Sequence, residues 1–374
     1  MIRKVLPQDG LPQDVLPQLG ASLFLTDSGI ETDLITRGGF DLPEFAAFVL
    51  LDDERGRESL RAYFRRHVDV AAEFGCGLIL ETPTWRASAD WGARTGYSPA
   101  GLRQVNEAAV DLVAGVRAEY AGTQAGPIVI SGCVGPRADG YDPAASMTAD
   151  EAERYHDPQI ETLAAAGVAL VHAMTLASVA EAVGIARAAA ARGVPVAISF
   201  TTRSDGMVPD GSSLAEAIMA VDAATGNGPV YYGVNCTHPA YFGSALPGGP
   251  LADRLRSVRA NASAGTDEDP AAGGAADGAA GAGPGPAGSD ASGSGVTGSG
   301  VTGSGVTGSG VTRSGVTRSG VTGSDADPDQ TAALAGEYLR LRERHPGFRI
   351  LGGCCGTDAR HVRAIAAACL PAGR

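Results

Sequence analysis

The chain has 374 residues, 44% of them apolar, and a formal charge of −13. An acidic balance excludes nucleic acid and anionic membrane surfaces as partners, because both are bound through clustered Lys and Arg. Six cysteines in this length are too few for a disulfide scaffold, and no apolar run reaches the roughly 18 to 20 residues of a membrane helix, so a soluble cytoplasmic chain is expected.

The first 20 residues repeat Leu-Pro-Gln at Leu6, Leu11 and Leu16, with Pro and Asp breaking every apolar run. There is no signal-peptide core in them, and they are expected to be a flexible segment. A β-rich run at 23–27 then ends on Asp27. A helix is predicted over 58–74, where Leu60, Phe64, Val68, Ala71 and Ala72 share one face. The run 78–82 ends on Glu81 and Thr82, and the helix 101–120 comes after it. The run 127–132 leads into Cys133, and then into the helix 151–166. The run 169–175 ends on Met174 and Thr175, before a helix at 179–192. Strand 194–200 and helix 213–224 come next. The run 230–235 ends on Asn235, with Cys236 just beyond, and 257–261 ends on Asn261.

The pattern then breaks. Residues 264–327 are rich in Gly, Ser, Val and Thr and settle into a five-residue Gly-Val-Thr-(Gly/Arg)-Ser repeat. A segment with so few large apolar side chains cannot offset its own ordering entropy, so a disordered insertion is expected. The alternation resumes with a helix at 331–344, a strand at 348–353 that leads into Cys354 and Cys355, and a last helix at 358–368.

Eight apolar strands separated by helices imply a parallel sheet covered on both faces, and this number of units fits a (β/α)8 barrel. The barrel would comprise residues 21–263 plus 328–374, with the insertion after its seventh strand. A doubly wound open sheet is the alternative. It would show a Gly-rich phosphate turn after its first strand, and TDSGIETDL at 26–34 lacks that spacing.

In such a barrel chemistry gathers at the C-terminal strand ends. Those ends carry Asp27, Glu81, Thr82, Thr175, Asn235, Cys236, Asn261, Cys354 and Cys355. Cys236, Cys354 and Cys355 come after strands six and eight, which can face each other across the mouth. Three thiolates with one open position are the donor set of a catalytic zinc site. The glycines around Cys354 and Cys355 would let the backbone turn so that both thiols aim at one ion. Buried core thiols, a vicinal disulfide, or a cysteine nucleophile served by His238 or His172 are the alternatives that the spacing leaves open. Cys76, Cys133 and Cys369 read as ordinary buried thiols, and His361 as a structural or surface residue of the last helix.

GGCCGT at 352–357, GVNC at 233–236 and TDSGIETDL together resemble the homocysteine S-methyltransferase family, as do ETPTW at 81–85 and VRANAS at 258–263. The similarity spans residues 20–263 and 328–370. It implies a zinc-dependent barrel that moves a methyl group to the thiol of homocysteine, giving methionine, an amino-acid biosynthetic step. Carried onto this chain, the family's zinc ligands are Cys236, Cys354 and Cys355. Asp27 matches the acidic residue of the family's first turn, near the substrate, with Ser28 where a glycine is usual. Thr82, Asn235, Asn261 and Thr175 would lie close to the amino-acid end of the substrate.

Two departures from the family pattern stand out. Many members carry Glu-Thr at strand four, the Glu holding the substrate amino group. Here HAMTLAS puts Met174 in that position. A thioether cannot pair with an ammonium, so either Glu81, Asp27 or Glu31 does so, or the substrate differs. The stretch DLPEFAAF also lacks the tryptophan of the betaine-using branch. That favours a sulfonium donor, S-methylmethionine or S-adenosylmethionine. A module fed by a cobalamin-bearing partner, action on another thiol or a selenol, and a non-catalytic zinc-binding barrel are the rival functions.

Overall fold

The computed structural model describes residues 16–123, 125–138, 140, 147–264 and 328–370. The strands are β1 (Phe24–Thr26), β2 (Gly77–Glu81), β3 (Ile128–Val134), β4 (Leu170–Leu176), β5 (Val196–Phe200), β6 (Tyr231–Asn235), β7 (Leu255–Ala260) and β8 (Ile350–Gly353). They pair in parallel in chain order, and β1 closes on β8 through Phe24–Ile350 and Leu25–Leu351. The fold is therefore the closed (β/α)8, or TIM, barrel, and the open sheet is excluded.

The helices are α1 (Ile30–Thr36), α2 (Glu54–Phe74), α3 (Ala89–Arg94), α4 (Pro99–Glu119), α5 (Ala149–Ala165), α6 (Val179–Arg192), α7 (Leu214–Thr225), α8 (Pro239–Phe242), α9 (Pro328–Arg344) and α10 (Ala359–Cys369). The α2 helix shows how local chemistry sets each boundary. Asp53 caps its start by accepting from Gly56 N at 2.7 Å, and Gly75 ends it at φ 61°. Between them Leu60, Phe64, Val68 and Ala71 are buried against the barrel. The short helices α1, α3 and α8 have no counterpart among the elements predicted from sequence, because fewer than two turns do not repeat an apolar face.

Period-two alternation divides the strand side chains between two cores. One set packs under the helices. The other fills the barrel interior near the N-terminal ends of the strands, with Phe24, Ile79, Val129, Leu170, Ala197, Tyr231 and Ile350. Leu16 belongs to that inner layer and is fully buried, and Arg256 Nη1 donates to Leu19 O at 2.8 Å. Residues 16–20 are thus packed, although the sequence predicts a flexible segment there. Leu16 in the barrel floor, Leu19 packed against the same layer and the bond from Arg256 hold them. Residues 1–15, and 265–327 of the insertion expected over 264–327, lie outside the described residues. No helix among the described residues is long and apolar enough to cross a membrane.

Candidate metal centre

Above the apolar floor the interior turns polar. Glu81 of β2, His172 of β4, Ser199 of β5 and Arg259 of β7 meet there, although β2 and β7 are not neighbours in the sheet. Only side chains that point into the barrel can make these contacts. His172 Nδ1 lies 2.8 Å from Glu81 Oε1, and His172 Nε2 lies 2.7 Å from Ser199 Oγ. Arg259 Nη1 is 3.8 Å from Glu81, and Arg259 Nη2 is 2.7 Å from Asp27 Oδ1. The same guanidinium donates to the carbonyls of Gly353 and Ser28, each at 3.1 Å. It therefore ties the ends of β1, β2 and β8 to β7.

The three thiols sit above this layer. Cys236 lies just past β6, and Cys354 and Cys355 just past β8, with β7 between them. Their sulfurs all lie within 4.8 Å of one another, a grouping that could hold a metal ion. Cys236 Sγ is 2.7 Å from Cys354 Sγ and 3.6 Å from Cys355 Sγ. Contacts from Cys236 and Cys355 hold the Cys354 thiol well below the ordinary cysteine value, and Arg259 adds to that pull. The corresponding contacts push Cys355 well up. Three converging sulfurs, one of them already favoured as thiolate, make a soft donor set that a metal ion would complete.

Cys236 and Cys354 are held by their neighbours. Cys236 has a left-handed backbone, φ 57°, which is costly for a residue with a side chain. Its N–H donates to Arg259 O at 3.1 Å, and Asn261 Nδ2 donates to its carbonyl at 3.0 Å. Cys354 N donates to Ala260 O at 2.8 Å, and Thr357 Oγ1 returns a bond to Cys354 O at 2.6 Å. The sequence predicts a turn-forming role for every glycine around the paired thiols. In the structure only Gly356 supplies the turn, at φ 76°. Gly352 and Gly353 are in β8, and they are small because their neighbours are close. A Cβ on Gly352 would come within 1.9 Å of Thr26 Oγ1, and one on Gly353 within 2.0 Å of Thr357 Oγ1.

The remaining expected site residues have definite partners. Asn235 accepts from Thr175 N at 2.7 Å and donates to Thr175 Oγ1 at 2.8 Å. Thr175 is itself left-handed, φ 62°, so Asn235, 4.0 Å from Cys354 Sγ, braces a strained residue beside the thiols. Thr82 Oγ1 accepts from Cys133 N at 3.0 Å and lies 2.6 Å from Thr84 Oγ1, which ties β2 to β3. Cys133 is inside β3 and not beyond its end, and burial pushes its thiol well up. His238 accepts from Ala240 N and caps α8, and His361 takes part in the capping box of α10.

A family model described as Homocysteine S-methyltransferase matches residues 24–369. The chain belongs to the homocysteine S-methyltransferase family. Among solved structures it resembles the homocysteine methyltransferase MmuM from Escherichia coli. The oxidized form aligns at TM-score 0.66 and 20% identity, over 96% of this chain and 99% of that one. The metallated form aligns at TM-score 0.65 and 20% identity, over the same shares. No curated protein matches the chain in sequence. As a member of this methyltransferase family, the chain is an enzyme whose fold places its thiol cluster at the reactive face of the barrel.

One group at this methyltransferase site, Arg259, is not assigned by the sequence alone, and another, Glu31, is only one of three carboxylates considered there for the substrate ammonium. Arg259 is absent from the sequence's candidate residues. An arginine inside a buried parallel strand was the available signal, since a buried charge is kept only when it is paired. Glu31, on the first turn of α1, is half-buried, and burial pushes its carboxyl up to about 7.

Burial also pushes the Asp27 carboxyl up to about 7, against the pull of Arg259. The folded chain thus holds this proton more tightly than the unfolded chain. Its contribution to stability is full below the ordinary value of 3.8 and is lost as pH rises through about 7. Relative to Asp27→Asn, the wild type is expected to lose stability on the order of 3 kcal/mol between pH 4 and pH 8, measured by denaturant melts. A difference that stayed flat across that range would contradict a raised carboxyl.

Proposed function

We propose that the chain uses zinc, held by Cys236, Cys354 and Cys355, to methylate the thiol of homocysteine from a sulfonium donor. The observation that carries this is the meeting of three sulfurs within 4.8 Å on the reactive face of a barrel of this family. The donor set fits the ion. Zinc–sulfur bonds of about 2.3 Å in a tetrahedron put sulfurs about 3.8 Å apart; Cys236 and Cys355, 3.6 Å apart, match that spacing, and Cys236 and Cys354, 2.7 Å apart, would have to open by about 1 Å. The E. coli relative exists in a metallated form, which supports the same assignment here. Bound there, zinc would leave its fourth position to the substrate thiol and stabilise it as thiolate at neutral pH.

The rest of the task falls to the protein. The substrate sulfur gains a methyl group, the donor's methyl–sulfur bond breaks, the donor leaves as a neutral thioether, and the thiol proton goes to solvent. No general base is needed from the chain. Asn235 and Asn261 fix the backbone on which Thr175 and Cys236 sit, so the ligand and the wall of the site are set before substrate arrives. Arg259 supplies positive charge beneath a cluster that accumulates negative charge.

The test is methionine formation from homocysteine with S-methylmethionine and with S-adenosylmethionine, each offered alone to the metal-loaded protein. At least one is expected to support turnover. Methionine formed only with betaine, or only with a methyl-cobalamin protein, would overturn the donor assignment. No methionine from any donor would favour the non-catalytic barrel.

A further inference from the structure

We infer that Glu31 is the carboxylate that receives the ammonium group of the amino-acid substrate. This rests on homocysteine being the thiol that binds at the three cysteines. A substrate ammonium carried into a half-buried site needs a carboxylate within hydrogen-bonding reach, because a desolvated cation without one is strongly disfavoured. Strand four offers none, since Met174 stands where the family resemblance puts Glu, and it is 5% exposed.

Of the three carboxylates that the sequence offers in its place, Asp27, Glu81 and Glu31, two are already engaged. Asp27 is 2% exposed, 2.7 Å from Arg259 Nη2, and accepts from Tyr63 OH at 3.4 Å. Glu81 is 3% exposed, 2.8 Å from His172 and 3.8 Å from Arg259. A second cation at either would have to displace a partner buried with it. Glu31 differs on both counts. It is half-buried, and its carboxylate takes a hydrogen bond from its own backbone N–H and from no side chain among the described residues.

Its position is set by the metal-binding turn itself. Gly29, two residues before it, packs so closely that a Cβ there would come within 2.3 Å of Cys354 O. Thr32, the residue after it, accepts from Gly356 N at 3.1 Å. Glu31 is thus held between two residues that clasp the Cys354–Gly356 turn. Burial, more than any neighbouring charge, disfavours its ionised form, and Arg86 favours it. A carboxylate in such surroundings gains more than most from a cation brought by the substrate.

The experiment compares Glu31→Gln with the wild type on two thiols, homocysteine and 4-mercaptobutyrate, which has the same carbon chain without the amino group. Turnover, the Kd by calorimetry and the metal content are read for each protein. Glu31→Gln is expected to keep its metal, to lose roughly 10- to 100-fold in kcat/KM and in affinity for homocysteine, and to be unchanged with 4-mercaptobutyrate. The wild type is expected to prefer homocysteine by the same factor. Glu31→Asp, which keeps the charge on a shorter arm, should recover part of the loss. An equal loss on both thiols, or no loss with homocysteine, overturns the assignment while leaving the proposed function standing. A wild type that methylates 4-mercaptobutyrate and not homocysteine overturns the substrate reading, and this inference with it.

Discussion

Cys355→Ser, purified beside the wild type, is expected to lose both its zinc and its activity. The wild type should carry about one zinc per chain. The variant should carry a small fraction of that, and its activity should fall by more than the roughly 10- to 100-fold that accompanies loss of an outer-shell partner, because here a proposed ligand is removed. The physical reason is that Cys355 is one of only three sulfurs in the cluster, 3.6 Å from Cys236, and a hydroxyl replaces a soft donor by a hard one. Serine is nearly the shape of cysteine, so the fold should persist and the circular dichroism should be unchanged. Cys133→Ser is the control. Cys133 is buried inside β3, outside the cluster, and its replacement should leave the metal in place. Zinc retained by Cys355→Ser, or equal loss in Cys133→Ser, would break the link between these three sulfurs and the metal.

The architecture and the thiol cluster are both legible in the sequence, and for the same reason. A buried parallel strand is a short apolar run, and the chain beyond its last residue is a loop on the reactive face. Eight such runs make the barrel, and the residues after the sixth and eighth are Cys236, Cys354 and Cys355. Strand ends differ by one or two residues at several places, which puts Cys133 and Thr175 inside strands. Which polar groups spend themselves on each other is not legible. Glu81 and Asp27 look alike as strand-end acids, and only the closed barrel reveals that His172 and Arg259, each two strands away, already hold them. Asn235 and Asn261 are expected near substrate. In the fold Asn235 is bonded to Thr175 and Asn261 to Cys236, holding two left-handed residues that a linear reading has no means to anticipate. The glycines of β8 carry the same lesson. Their small size serves neighbours that the local sequence does not reveal, Thr26 on β1 and Thr357 at the next helix.

Arg259→Met is expected to be the most destabilising single change at the site, by about 3 to 5 kcal/mol, because it leaves buried carboxylates without their cation. Methionine approximates the volume of the arginine stem, so the loss would reflect charge and hydrogen bonds more than a cavity. In a barrel of this size that corresponds to a fall in Tm of about 10 °C. Two features separate this from a generic packing defect. The first is its dependence on pH. Without Arg259, the burial that already pushes Asp27 up to about 7 acts unopposed, so protonating Asp27 relieves the strain and the deficit against wild type should shrink on acidification from pH 8 to pH 5. The second is coupling. Asp27→Asn removes one of the two charges that Arg259 compensates, so the double variant should be more stable than the sum of the single losses allows. Additive losses, with no change of the deficit with pH, would mean that the guanidinium acts by filling space. The expected coupling would also bear on the metal. Arg259 donates to the carbonyl of Gly353, the residue before Cys354, and lowers the cost of charge on Cys354 itself. Zinc affinity should therefore fall in Arg259→Met even where the chain is fully folded, since the cation that balances Asp27 and Glu81 also balances the thiolates above them.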